Sequence, residues 1–171
     1  SAAGGRGSDH DGAPGTVFLK KAGEAGQLAI DRKDGGAKAG WAWLPEGATN
    51  YLGEVVLRGA GTTVDVWSAS IAPTNLYLMD GAVLTHRAAT TNEEYRLELD
   101  VAGTLSVGSN SAIDVSGKGY LPGWTCPGTT NGASTGNAGG SYGGFGSRGT
   151  GTNNFIYGDF RNPVDPGSGG G

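Results

Sequence analysis

The chain has one cysteine, one methionine and two histidines in 171 residues. A single thiol, Cys126, excludes an intramolecular disulfide framework. It lies in Trp124-Thr125-Cys126-Pro127-Gly128, which reads as a loop holding an incidental thiol. One cysteine and two distant histidines, His10 and His86, do not make a zinc site, which needs clustered ligands. Charge is sparse as well: 12 basic and 16 acidic residues are scattered to a net −4. With no basic patch there is no electrostatic footprint for nucleic acid or an anionic membrane. Apolar residues make up 36%, below the ordinary globular share. No run is long enough to span a bilayer as a helix, and no helix of useful length can be written anywhere. A signal peptide and an initiator Met are both lacking. The chain opens at Ser1 in a small-residue tract, as expected of a processed chain or a piece of a longer one. Disordered chains combine low hydrophobicity with high net charge. This chain is low in both, which suits a tight-turn β protein or an assembling repeat, and its length suits one domain.

Glycine is abundant, and its placement is informative. Only seven glycines lie between Trp41 and Ser116, whereas the shorter stretch from Gly117 to Gly171 holds 18 of the chain's 35. Glycine costs the most backbone entropy on folding, so propensity alone cannot hold the second stretch. Its aromatics, Tyr120, Trp124, Tyr142, Phe145, Phe155, Tyr157 and Phe160, are the expected packing pins and self-association residues. The tract is either a flexible linker or a set of packed extended strands, since glycine lets backbones approach closely. Interleaved Tyr, Phe and Asn with little charge favour the second reading.

The chain falls into three sections. Residues 1–40 form a Gly-rich N-terminal segment with two short strands, Thr16 to Lys20 and Gln27 to Asp31. Residues 41–116 alternate like β-structure, and 117–171 are the Gly-rich, aromatic-pinned tract. Within the middle section, Glu54-Val55-Val56-Leu57, Asn75-Leu76-Tyr77-Leu78 and Arg96-Leu97-Glu98-Leu99 are evenly spaced. Val55, Leu76 and Leu97 then share one register, and Leu57, Leu78 and Leu99 share the next inward one. A period of roughly 21 residues with alternating side chains suits the coils of a β-solenoid, which stack like residues into ladders. Thr104 to Val107 and Ala112 to Val115 supply further strands, joined by the turn Gly108-Ser109-Asn110. The expected fold is all-β: a right-handed parallel β-solenoid (β-helix) with Gly-rich extended loops. The alternative is a β-sandwich, whose antiparallel strands are equally short.

Three groups of residues carry a resemblance. They are Gly81-Ala82-Val83-Leu84-Thr85-His86 with Glu94 to Leu99, Gly103 to Val107 with Ala112 to Tyr120, and Ala138 to Gly144 followed by Tyr157-Gly158-Asp159-Phe160-Arg161-Asn162-Pro163. Together they resemble the glycine-rich β-helical repeat segments of large bacterial cell-surface and secreted proteins. In such proteins a strand like Gly15-Thr16-Val17-Phe18-Leu19-Lys20 often follows a Gly-rich segment and precedes the next repeat. The resemblance covers most of the chain in an offset frame. It implies a secreted, cell-surface, non-catalytic scaffold or adhesin, and it transfers no binding residues. The tail Pro166 to Gly171 and the head Ser1 to Gly5 would read on smoothly if joined, as in a repeat array or a subunit stacking head to tail. An open solenoid end is a template for further strands, and a heterologous contact that does not close makes a filament.

Chemistry-bearing residues are few. Asp9-His10-Asp11-Gly12 resembles half a cation loop, but the ligand alternation of a calcium-binding hand is missing. These residues read as solvated turn aspartates. No metal site is assigned, with Asp9 and Asp11 the weak candidates for a structural Ca²⁺. The serines have no nucleophile elbow. Glu93, Glu94 and Glu98 could pose as glycosidase acids, but Glu94, Arg96 and Glu98 share one strand face and read as a solvated surface. The chain is therefore taken as no enzyme, with no catalytic residue. Trp41, Trp43 and Trp124 flank loops where flat rings could stack on sugars. The expected function is a non-catalytic extracellular structural protein that self-assembles head to tail into a surface filament or repeat array. The alternative is a carbohydrate-binding or adhesin module with a surface polysaccharide as partner.

Overall fold

A computed structural model describes residues 13–32, 40–44, 52–67 and 70–171. The chain is all-β: among the described residues, every regular element is a strand and there is no helix. Two compact units are present, and each is described by itself. The first takes the described residues of Ser1–His86 with Leu97–Asp114, and the second takes Arg87–Arg96 with Val115–Gly171.

The strands all belong to the first unit. They are β1 (Gly15–Leu19), β2 (Gly26–Asp31), β3 (Gly40–Leu44), β4 (Leu52–Arg58), β5 (Thr62–Val66), β6 (Ser70–Ile71), β7 (Asn75–Met79), β8 (Val83–His86), β9 (Glu98–Leu99), β10 (Leu105–Val107) and β11 (Ala112–Ile113). One sheet runs β1-β2-β4-β7-β10, a second runs β3-β5-β8-β11, and β6 pairs with β9. Every pairing is parallel except β1 with β2. The strands form because apolar and polar residues alternate, so one face of each can leave water. β7 (NLYLM) buries Leu76 and Leu78, and β5 (TTVDV) buries Thr62, Val64 and Val66.

In-register pairing stacks these residues into ladders. Leu28, Val55, Leu76 and Leu105 form one, and Ile30, Leu57, Leu78 and Val107 form the next. In the second sheet, Ala42, Val64, Leu84 and Ile113 stack likewise. The buried members of these ladders form a single core. Each fully buried Leu or Val there contributes about 1.5–3 kcal/mol of transfer free energy. Turns join the sheets at matching points. Asp80 (φ 56) turns the chain from β7 to β8, and Asn110 (φ 63) turns it from β10 to β11. Both are short polar residues that tolerate the left-handed region.

The sequence period holds once and then lengthens. Val55 pairs with Leu76, as the even spacing predicts, but Leu76 pairs with Leu105 and not with Leu97. Leu97 and Leu99 therefore do not take the third place in the ladders. Leu99 lies beside Ile71 in the β6–β9 pair instead. The cause is that Arg87–Arg96 leaves the strand stack and belongs to the second unit.

The second unit has no strand, only the single bridges Thr125↔Thr129 and Asp159↔Asn162. Backbone hydrogen bonds between distant Gly-rich segments hold it, among them Tyr120 N–H to Gly167 O (2.8 Å), Thr135 N–H to Thr152 O (2.9 Å) and Gly139 N–H to Ser147 O (2.7 Å). The tract is thus packed, through isolated crossings where the sequence suggests extended strands. Glycine is required where chains touch. A Cβ at Gly151 would overlap the Thr135 carbonyl oxygen, and one at Gly169 would overlap that of Leu121.

Candidate functional site

Two places stand out, one in each unit. In the first unit it is the end of the strand stack. Interior members of the ladders are fully enclosed: Leu57, Leu76 and Leu78 are each 0% exposed. The last members are not, with Leu105 at 48% and Val107 at 45%. Among the described residues β10 and β11 have no strand on their far sides. Neither contains a charge or a proline, the devices that usually block an edge. At the other end of the strand orders, β1 exposes Phe18 (50%) and Leu19 (62%), and β3 exposes Trp41 (54%).

In the second unit the aromatic residues divide. Tyr120 is buried, Trp124, Tyr142 and Tyr157 are half-buried, and Phe145, Phe155 and Phe160 are exposed. Tyr157 is their meeting point. Its ring meets Tyr142 edge-on at 5.2 Å, Tyr120 at 6.5 Å and Phe155 at 6.0 Å. Such pairs add about 0.5–1.5 kcal/mol beyond area burial. Phe160 lies under the Arg161 guanidinium, 5.0 Å from its centroid, and Phe145 has no ring contact among these.

Sequence reasoning missed the polar centre of this unit. Thr125, Ser134, Ser141 and Asn154 are buried almost completely. The Asn154 amide donates to Thr125 Oγ1 (2.9 Å), Ser141 O (3.1 Å) and Phe155 O (2.9 Å). Its Oδ1 accepts from Ser141 N–H (2.6 Å) and Ser134 Oγ (3.0 Å). A tract with so few apolar side chains gathers five partners around one amide, its two N–H groups shared among three acceptors, because a buried polar group without a partner is costly. No periodicity marks Asn154, so no sequence signal points to it.

Beside Tyr120 lies a shallow depression of about 70 Å³, with Thr90, Thr91, Asn92 and Glu93 on one side and Tyr120 and Trp124 among those on the other. The 90–93 segment is a tight turn: Thr90 Oγ1 accepts from the N–H groups of Asn92 (3.3 Å) and Glu93 (3.0 Å). Tyr120 donates its hydroxyl to Glu94 Oε2 (3.1 Å), and Tyr95 donates to Glu93 Oε2. Burial first, then the Glu94 carboxylate, pushes the Tyr120 phenol well above its ordinary range. Burial likewise raises Tyr157 from 10.0 to about 12, with its hydroxyl donating to Pro166 O at 2.7 Å.

Both phenols favour the neutral form when folded, so their stabilising effect is complete below pH 10; that of Tyr157 is lost as pH rises through about 12, and that of Tyr120 at still higher pH. Amide protection in the second unit should therefore fall over that window. Tyr157→Phe should flatten the fall, as followed by hydrogen exchange alongside tyrosinate absorbance.

Asp9 and Asp11 lie outside the described residues, and so does the side chain of Trp43, whose backbone belongs to β3. Among the described residues no group of three or more His, Cys, Asp or Glu is placed to hold a metal. No described helix is long and apolar enough to cross a membrane. Cys126 is a half-buried free thiol. No family model, curated protein or solved structure matches the chain.

Proposed function

We propose that the chain is a non-catalytic, extracellular structural protein that self-associates head to tail into a surface filament or repeat array. In this reading the two sheets and the β6–β9 pair are faces of a right-handed parallel β-solenoid. Successive parallel partners in each sheet support it, as does the right-handed preference of parallel crossovers. The observation that carries the function is the broken ladder end. Leu76 and Leu78 are enclosed while Leu105 and Val107, next in the same ladders, stay nearly half in water. Another copy supplies what is missing: a strand edge for the unpaired side of β10 and β11, and apolar cover for their side chains. Its β1 and β3 edges offer Phe18, Leu19 and Trp41. The two edges differ, so the contact is heterologous, and it makes a filament where its rotation does not close into a ring.

The test is negative-stain electron microscopy of the full chain at low and high concentration. Filaments are expected to lengthen with concentration, and a Leu105→Lys, Val107→Lys double variant should remain as single particles. Uniform small particles of the native chain at every concentration would overturn the proposal.

A further inference from the structure

The geometry points to a second site: the depression beside Trp124 binds a ring of a neutral polysaccharide. Its outline sets the ligand class. About 70 Å³ is far below the several hundred Å³ that encloses a small-molecule ligand. It suits one ring of a polymer resting on the surface. A sugar ring presents an apolar C–H face and a rim of hydroxyls that both donate and accept. Flat aromatic surface suits the face, and a few fixed polar groups suit the rim.

The depression supplies both. Trp124 is half-buried, and its backbone is held on both sides. Its N–H donates to Leu121 O (2.9 Å), and its carbonyl accepts from Gly169 N–H (3.1 Å) and Ser168 Oγ (3.3 Å). The opposite wall is the 90–93 turn, pinned by Thr90 as described. It carries three exposed polar side chains, the Thr91 hydroxyl, the Asn92 amide and the Glu93 carboxylate, one oxygen of which already accepts from the Tyr95 hydroxyl. Glu94 is occupied by the Tyr120 hydroxyl and serves as wall. Two adjacent carboxylates disfavour an anionic sugar by like-charge repulsion, so the ligand is neutral and a uronic-acid polymer is excluded. Both walls belong to the second unit, whereas β10 and β11 belong to the first.

The test titrates the full chain with cellotetraose, maltotetraose and chitotetraose, using tetragalacturonate as the charged comparison. Binding is followed by isothermal titration calorimetry, which needs no reporter at position 124. At least one neutral tetrasaccharide should bind saturably. Trp124→Ala and Asn92→Ala should each weaken it by about tenfold, the scale of one aromatic or polar contact. Trp124→Phe and Glu93→Gln keep the test valid should the alanine variant at 124 unfold. The Leu105→Lys, Val107→Lys variant, held as single particles, should bind undiminished, which separates this site from the assembly reading. Failure of every neutral tetrasaccharide to saturate would overturn the proposal. So would affinity untouched by the changes at 92, 93 and 124, or preference for tetragalacturonate.

Discussion

Asn154→Ala is expected to unfold the second unit. The amide meets Thr125, Ser134, both backbone groups of Ser141 and the Phe155 carbonyl at once. Removing it leaves several buried donors and acceptors without partners, each costing about 1–3 kcal/mol. A unit with few enclosed apolar side chains has no comparable reserve. Ala133 and Ala138 are small, and Tyr120 is the sole buried aromatic there. Asn154→Asp should be nearly as damaging. A carboxylate can still accept from Ser141 N–H, but it cannot donate to Thr125 Oγ1, and it would face the carbonyls of Ser141 and Phe155. Hydrogen exchange followed by mass spectrometry checks this. Protection should vanish over 115–171 and 87–96 while β4, β5 and β7 keep theirs. A destabilisation confined to Asn154→Ala and absent in Asn154→Asp would mean that the residue fills space and does not organise hydrogen bonds.

The second large effect separates two leucines in one ladder. Leu76→Ala should cost about 2–5 kcal/mol, because it empties a fully enclosed site in a rigid stack. Leu105→Ala, in register with it on the next strand, should cost about 1 kcal/mol or less, since nearly half of that side chain is already in water. Chemical denaturation of dilute chain gives both numbers. In the assembled state the order of importance is expected to change. Leu105→Ala should raise the concentration at which filaments form, whereas Leu76→Ala should lower stability at every concentration. Equal costs in dilute chain would mean that the ladder end is covered within a single molecule, and the assembly surface would have to be sought elsewhere.

How far the sequence can be read depends on the kind of interaction. Alternation in Asn75-Leu76-Tyr77-Leu78-Met79 and Thr62-Thr63-Val64-Asp65-Val66 is a local property, and it names both the strands and their buried faces. The step from Val55 to Leu76 is legible for the same reason. The next step is not. Arg96-Leu97-Glu98-Leu99 continues the arithmetic of the repeat, yet Leu99 pairs beside Ile71 and Leu105 takes the place beyond Leu76. Whether the residues before it stay in the stack depends on Arg87–Arg96 packing with residues 115–171. Spacing contains no record of that choice.

The Gly-rich tract shows the same boundary. Its composition, by itself, favours a tract in which backbones approach one another closely and aromatic rings supply the burial. The aromatic residues are evident as candidate pins, but the sequence does not rank them. Tyr157 gathers three rings while Phe145 and Phe160 stay in water. The hub at Asn154, the turn at Thr90 facing Trp124, and the exposed ends of two ladders at Leu105 and Val107 are properties of tertiary structure alone. Each depends on which distant segments meet. A hydrogen bond between distant residues, such as Asn154 to Thr125, leaves no periodic trace, whereas a side chain that alternates between core and water writes its position into every second residue.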